Sequence, residues 1–319
     1  MAGASAPWHA SCERPRSTMF YEIIINRESG SGTFREKENQ ERLIQIFRDR
    51  GHEIGLSVVD PKQLDQTLRE KAASEAQVII VGGGDGTVTA AAKLLQGTTK
   101  TLGVLPLGTF NLEARHLNLS LDPFMAAEEL LDAETVAIDL LMVNDEACLC
   151  ATVIGFYPAL AKSRESFHGR SWWRKSIRMV KELATVATKS PALNLELTEG
   201  GKTIRQRTRL AAFSPGRYEE GIGIIPDRPQ LDSGNLTAYV SSHLSRGEML
   251  VAAVGYLTGN LLDTDGMTRI ESPQIHIDVK RRKSIPVMID GEILKLKLPC
   301  ELRILPGALR VLRAREKSA

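Results

Sequence analysis

The stretch Val78-Ile79-Ile80-Val81-Gly82-Gly83-Gly84-Asp85-Gly86-Thr87 decides the fold class. Four β-branched residues in a row predict a short strand buried on both faces, as in a parallel sheet. The glycines predict a tight turn. A helical pattern follows, with Val88, Ala91, Ala92, Leu94 and Leu95 on or near one face. Strand, glycine-rich turn and helix N-terminus are the parts from which α/β proteins build phosphate cradles. Backbone N–H groups can approach with no Cβ in the way, and the helix end favours negative charge. Asp85 adds a hard oxygen ligand of the kind Mg²⁺ takes, directly or through water. The competing role for Asp85 is to cap the following helix. The spacing excludes a P-loop, because no Gly-Lys-Ser/Thr follows, and Gly84-x-Gly86-x-x-Thr89 matches a dinucleotide fingerprint only loosely.

A second turn repeats the architecture. Leu102-Gly103-Val104-Leu105 reads as another buried strand, Pro106-Leu107-Gly108-Thr109 as a turn, and Phe110-Asn111-Leu112-Glu113-Ala114-Arg115 as the start of a helix. Each turn follows the carboxyl end of its strand. Both therefore belong at the one edge of a parallel sheet where open α/β folds bind ligands.

From Phe20 the chain alternates: strand 20–25, helix about 34–50, strand 54–59, helix 61–73, strand 78–81, helix 87–96, strand 101–105, then a helix from about 109. That alternation predicts a doubly wound parallel sheet. After Asp139 the period becomes two, at 193–197 and near 203–212, 235–241, 274–280 and 293–298. A mostly antiparallel β domain is expected there, with a helix near 245–262. Residues 1–18 lack periodicity and are expected to be disordered, with Met19 as the functional start.

Composition excludes several classes. The chain has 319 residues, 42% hydrophobic and 25% charged, values of a globular protein long enough for two domains. A net charge of +2 supplies no global field for nucleic acid, so no nucleic-acid partner is expected. The four cysteines form neither a CxxC pair nor a His-spaced cluster, so no disulfide framework or zinc motif is legible. No apolar run has the length of a membrane span. No secretory h-region opens the chain, so a cytoplasmic protein is expected.

Taken together, GGGDGT followed by LPLGTFN resembles the catalytic domain of the diacylglycerol kinase family, in its bacterial soluble lipid kinase branch. That branch is related to sphingosine and ceramide kinases. Asn26-Arg27-Glu28-Ser29-Gly30, Ile138-Asp139-Leu140 with Val143-Asn144, and Ile289-Asp290-Gly291-Glu292 match further elements of the family in the same order. The resemblance runs from about residue 20 to residue 312. It implies an N-terminal doubly wound sheet of the NAD kinase/phosphofructokinase kind and a β-sandwich-like second domain. The implied divisions are residues 19–138, joined by a C-terminal tail from about 306 to 319, and residues 139–305.

The resemblance also implies an ATP- and Mg²⁺-dependent kinase that phosphorylates a lipid hydroxyl at a membrane surface. Phosphoryl transfer is mostly positioning and charge neutralisation. Gly83, Gly84, Gly86 and Thr87 would cradle phosphate, with Asn26, Ser29, Gly30, Thr109 and Asn111 as further nucleotide contacts. Asp85 would act on the metal, with Asp139 in the acidic network around it. Asp290 and Glu292 would share one strand face if Gly291 does not bulge, and Glu292 is the favoured acceptor of the hydroxyl proton. A plain Asp-Gly hairpin turn is the alternative for these residues.

Two departures stand out. Leu112 occupies the place of a family Asp, and Ser233 occupies the place of the Asp at a second-domain metal site. Asp232 could substitute there only if the loop shifts. The basic segment Arg170–Lys181 carries Trp172 and Trp173 and suits either a membrane interface or an ordinary amphipathic helix. A kinase for a soluble acceptor and a weakly catalytic nucleotide- or lipid-binding module are the other functional classes consistent with the sequence.

Overall fold

The computed structural model describes residues 18–109, 111–155, 192–219, 228–242 and 266–315. Three of the expectations above lie wholly or almost wholly outside these residues: disorder over 1–18, the helix near 245–262 and the segment bearing Trp172 and Trp173.

The first half alternates as its sequence predicts. Strand β1 (Phe20–Asn26) leads through a 3-10 segment (Gly30–Arg35) to α1 (Lys37–Asp49). Then come β2 (Glu53–Val59), α2 (Pro61–Ala72), β3 (Val78–Gly83), α3 (Asp85–Leu95), β4 (Thr101–Pro106), α4 (Leu112–His116) and α5 (Pro123–Leu131). Strands β1, β2, β3 and β4 pair in parallel, in the order β2-β1-β3-β4. Every residue of β3 and β4 is buried, the burial that an apolar run without alternation requires. Helix starts follow local chemistry. Pro61 and Pro123 occupy first-turn positions, where a missing N–H costs nothing. Asp122 caps α5 by accepting from the Phe124 and Met125 N–H groups at 3.0 and 2.9 Å.

Among the described residues, the second half is almost entirely strands. They are β5 (Glu134–Val143), β6 (Glu146–Cys148), β7 (Thr152–Gly155), β8 (Leu193–Glu199), β9 (Lys202–Thr208), β10 (Leu210–Pro215), β11 (Leu236–Ser241) and β12 (Met267–Ser272). After them come β13 (Gln274–Val279), β14 (Ser284–Ile289), β15 (Glu292–Lys297) and β16 (Cys300–Arg313). Six of these form one antiparallel sheet, ordered β12-β11-β10-β7-β14-β15. The others extend the parallel sheet, because β16 pairs parallel with β4 and antiparallel with β5 and β13. The two sheets face each other across a second core. Leu141, Leu195, Ile277 and Leu302 come from one side, and Ile154, Phe213, Ala238 and Val287 from the other. The result is a parallel α/β half and a β-sandwich-like half that share one ten-stranded sheet.

One segment differs from its expected form. The alternation over 203–212 predicts a single strand, but the chain breaks at Arg209 and crosses from the larger sheet (β9) to the smaller (β10). Gly155 lies directly against the Arg209 carbonyl at a positive φ of 106°, and a Cβ there would overlap that carbonyl. The crossing therefore depends on a glycine 54 positions earlier in the chain.

Strand β16 ties the halves together. Its register shifts between Leu305 and Leu309, where Gly307 has φ +56°. Beyond that bulge Leu309, Val311 and Leu312 are buried in the α/β core. Leu309→Ala should therefore cost about 2–5 kcal/mol in urea unfolding, the range for a fully buried large-to-small change. Ile204→Ala, on a side chain that is 39% exposed, should stay within about 0.5 kcal/mol.

Candidate functional site

Three βα turns meet at the carboxyl edge of the parallel sheet, stitched by backbone groups. The Gly30 N–H donates to the Leu107 carbonyl at 2.7 Å, and the Leu107 N–H donates to the Gly83 carbonyl at 3.1 Å. Gly108 lies so close to Gly84 that an added Cβ would stand 2.6 Å from the Gly84 Cα. No side chain can be inserted there without separating the turns. Asn111 holds the third turn from within. Its Oδ1 accepts from the Gly108 N–H at 2.6 Å, and its Nδ2 donates to the Gly108 carbonyl at 3.1 Å. It does so from the left-handed region at φ 51°, which Asn tolerates better than most residues.

Asp85 completes the stitching. Gly84, not Asp85, is the N-cap of α3, and Asp85 is its first helical residue. The Asp85 Oδ1 accepts from the Leu112 N–H at 2.7 Å, reaching from one turn to the helix of the next. Burial raises its carboxyl above the ordinary range, the Leu112 N–H pulls it down, and the like charge of Glu113 pushes it up again. A half-buried carboxylate in that state gains from a cation. The neighbouring Gly86 is exposed and opens onto free space, with nothing within 4 Å of an added Cβ. An open helix N-terminus beside such a carboxylate fits a phosphate with a divalent ion. The other expected contacts line the same edge. Asn26 Oδ1 accepts from the Glu28 N–H at 3.1 Å, the Ser29 N–H donates to the Asn26 carbonyl at 3.0 Å, Thr87 is buried against the turn, and Thr109 is exposed.

The Asp290-Gly291 pair forms the turn of the β14–β15 hairpin, with φ 46° and 90°. Strand alternation is therefore interrupted, and the two carboxylates do not share one strand face. Asp290 Oδ1 accepts from the Cys150 and Ala151 N–H groups at 2.8 and 3.0 Å and from the Cys148 thiol at 3.3 Å. Its Oδ2 accepts from the Leu149 N–H at 2.7 Å and from the Thr89 hydroxyl at 3.2 Å. Glu292 is exposed. Thr89 lies one helical turn beyond Asp85 on α3, so this hydrogen bond brings the hairpin to the same side of the helix as Asp85.

The remaining acidic candidates are spread out. Asp139 is 1% exposed, and its oxygens accept from the Gly234 N–H at 2.6 Å and the Gly307 N–H at 2.9 Å. Asp232 is exposed, and its loop closes on Ser233, whose hydroxyl donates to the Asn235 carbonyl and accepts from the Asn235 N–H. Asp85, Asp139 and Asp232 serve different turns. Among the described residues they are not members of any group of three converging ligand atoms.

Sequence spacing missed a buried polar cluster directly behind this edge. Glu113 and His116 on α4, Cys150 on the β6–β7 link, Tyr218 and Arg228 come together there. Glu113, His116, Cys150 and Arg228 are each 1–3% exposed. Arg228 Nη1 donates to the Leu149 and Pro215 carbonyls at 3.0 and 3.2 Å, and its Nη2 is 3.9 Å from Glu113 Oε1. Burial pushes the Glu113 carboxyl up, but His116 and Arg228 outweigh it and hold the group below the ordinary range. The i,i+3 spacing of Glu113 and His116 was the available signal. Arg228, 115 positions beyond Glu113, had none.

An open parallel sheet with joined glycine turns at its carboxyl edge, backed by a β sandwich, is the class of two-domain α/β fold suited to phosphate ligands at that edge. Comparison with known proteins narrows this. Residues 21–143 match the family model described as diacylglycerol kinase catalytic domain, and residues 165–313 match that of the YegS C-terminal NAD kinase beta sandwich-like domain. A diacylglycerol kinase of Mycobacterium tuberculosis is 30% identical over 259 residues, covering 78% of this chain and 80% of its own. A YegS-like lipid kinase of Cronobacter sakazakii is 33% identical over 129 residues, 39% of this chain and 42% of its own. A diacylglycerol kinase structure from Bacillus anthracis superposes with a TM-score of 0.68 at 19% identity, over 93% of this chain and 98% of that one. The chain belongs to the diacylglycerol kinase family, whose members are phosphotransferases.

The geometry yields two expectations. Asp290→Ala strands three backbone N–H groups and should lower stability by about 2–4 kcal/mol in denaturant unfolding, whereas Glu292→Ala should stay within about 0.5 kcal/mol. Because the folded state raises the Asp85 pKa, folding favours its protonated form. The stability cost is therefore absent below the ordinary carboxylate range, grows as pH rises toward the raised value and is full above it. Asp85→Asn keeps the acceptor for Leu112, so it should raise the melting temperature at pH 7 and lose that advantage in acid, as calorimetry across pH would show.

Proposed function

We propose that this protein is an ATP- and Mg²⁺-dependent lipid kinase that transfers the γ-phosphate to a lipid hydroxyl of the diacylglycerol or sphingoid type at a membrane surface. The observation that carries this is the hydrogen bond from Thr89 to Asp290. It draws together two elements, 201 residues apart, that resemble the phosphate turn and the proton-accepting turn of the family. Family membership supports phosphoryl transfer, and the names of the Mycobacterium and Cronobacter relatives support a lipid acceptor. Among the described residues no helix is long and apolar enough to cross a membrane, so the lipid would be met at the surface.

The chain's own residues divide the work. The exposed Gly86 at the start of α3 would present its N–H to the transferring phosphate, with the helix end favouring its charge. Gly84 and Gly108 leave room for backbone approach. Asp85 would hold Mg²⁺, which when bound neutralises charge on the phosphoryl oxygens. Asp290 has its lone pairs committed to five donors, so it acts as a positioning residue. Glu292, exposed beside it, is the carboxylate able to take the proton from the attacking hydroxyl.

The test is transfer of labelled γ-phosphate from ATP with Mg²⁺ into a total lipid extract in mixed micelles. A labelled lipid that disappears with Asp85→Ala and falls roughly 10²–10⁴-fold with Glu292→Ala is the expected result. Labelling of a water-soluble acceptor instead would overturn the lipid assignment. ATP binding with no labelled product would make the chain a nucleotide-binding module, with Leu112 the first position to examine.

A further inference from the structure

We propose that Glu113, His116 and Cys150 form a binding site for a divalent transition-metal ion, with Zn²⁺ as the best fit, buried between α4 and the β6–β7 link. Glu113 Oε2 lies 3.5 Å from His116 Nδ1 and 3.7 Å from Cys150 Sγ, and the three ligand atoms all fall within 4.8 Å of one another. A tetrahedral ion with bonds of about 2.0–2.3 Å needs ligand atoms roughly 3.3–3.8 Å apart. The two measured edges lie in that range. The same 3.5 Å is too long for a good N–H···O hydrogen bond.

A second observation points to a missing partner. His116 is 3% exposed, and neither ring nitrogen has a hydrogen-bond partner. A buried imidazole that leaves both nitrogens unsatisfied is costly. A cation between its Nδ1, the carboxylate and the sulfur would satisfy that nitrogen. Glu113 and His116 stand three residues apart on α4, so both project to one side, toward Cys150.

The donor set selects the metal. One nitrogen, one sulfur and one oxygen suit Zn²⁺ or Co²⁺ and suit poorly Mg²⁺ or Ca²⁺, which take oxygen shells. This site is therefore distinct from the Mg²⁺ position proposed at Asp85. On binding, the Cys150 thiol gives its proton to solvent and its sulfur bonds the metal, so one positive charge leaves as the dication enters. Arg228 approaches Glu113 through Oε1, the oxygen not facing the other ligands. It orients the carboxylate from behind, as outer partners of metal ligands do. Its positive charge also opposes the dication and limits affinity. The bound metal would clamp α4 to the segment 148–151, whose N–H groups hold Asp290.

The test uses absorption, not turnover, so it does not depend on the kinase proposal. The full chain, stripped with chelator, is titrated with Co²⁺. The expected result is a thiolate-to-cobalt charge-transfer band with the visible bands of a tetrahedral ion, displaced by Zn²⁺ but not by Mg²⁺. Cys150→Ser should abolish the charge-transfer band while Cys148→Ser keeps it. His116→Gln should weaken Co²⁺ binding by more than about tenfold, since losing even an outer-sphere partner costs that much. If Cys150→Ser fails to fold by circular dichroism, the decision passes to His116→Gln and to the wild-type melting temperature. Zn²⁺ should raise the latter and leave the variant's unchanged. No charge-transfer band in the wild type, or one that survives Cys150→Ser, would overturn the site and leave the cluster as a buried ion-pair network only.

Discussion

The approach of Gly84 to Gly108 is the constraint on which the candidate site depends. A Cβ at Gly108 would overlap the Gly84 backbone, so the β3–α3 and β4–α4 turns are held in one relative position. Leu107 extends the constraint to the turn after β1, its N–H donating to Gly83 and its carbonyl accepting from Gly30. The three turns are thereby held together, and the carboxylate of Asp85 reaches across to the Leu112 N–H. Parallel strands put all three turns at the same edge, and the helices that follow point their positive ends there.

Two aspartates, Asp139 and Asp290, act as anchors for backbone N–H groups at loops, strand ends and a bulge. Asp139 serves the loop at Gly234 and the bulge at Gly307, and so joins β5 to β16. Asp290 serves three consecutive N–H groups of the 149–151 segment together with Thr89 of α3. Each joins the α/β half to the β half with charge-assisted hydrogen bonds, about twice as strong as neutral ones. The arrangement explains why an Asp whose neighbours suggest chemistry can be committed to position, while the exposed Glu292 beside it is not.

The departures from the family pattern acquire a physical setting. Leu112 supplies its N–H, not a carboxylate, to the acidic edge. The adjacent Glu113 points into the protein, where Arg228 and His116 hold its charge. A negative charge thus persists near Asp85 but is buried and balanced. Ser233 closes its own loop by hydrogen bonds that span two residues, so the loop keeps its shape with Asp232 facing solvent.

The sequence by itself determined the α/β half and its functional edge. Buried strands announce themselves by uninterrupted β-branched runs, turns by glycine, and helices by period. All of these are local properties, and GGGDGT and LPLGTFN carry them within a few residues. The alternation after Asp139 likewise declared antiparallel strands. Only the tertiary structure decided what depends on distant partners. The break at Arg209 rests on Gly155, whose missing Cβ admits a carbonyl from another strand. The commitment of Asp290 to hydrogen bonding rests on N–H groups about 140 residues earlier. The Glu113–His116–Cys150 cluster forms because α4 packs against the β6–β7 link. A hydrogen-bond or ligand partner is chosen by position in space, and local pattern cannot encode a position that exists only after two sheets have closed on each other.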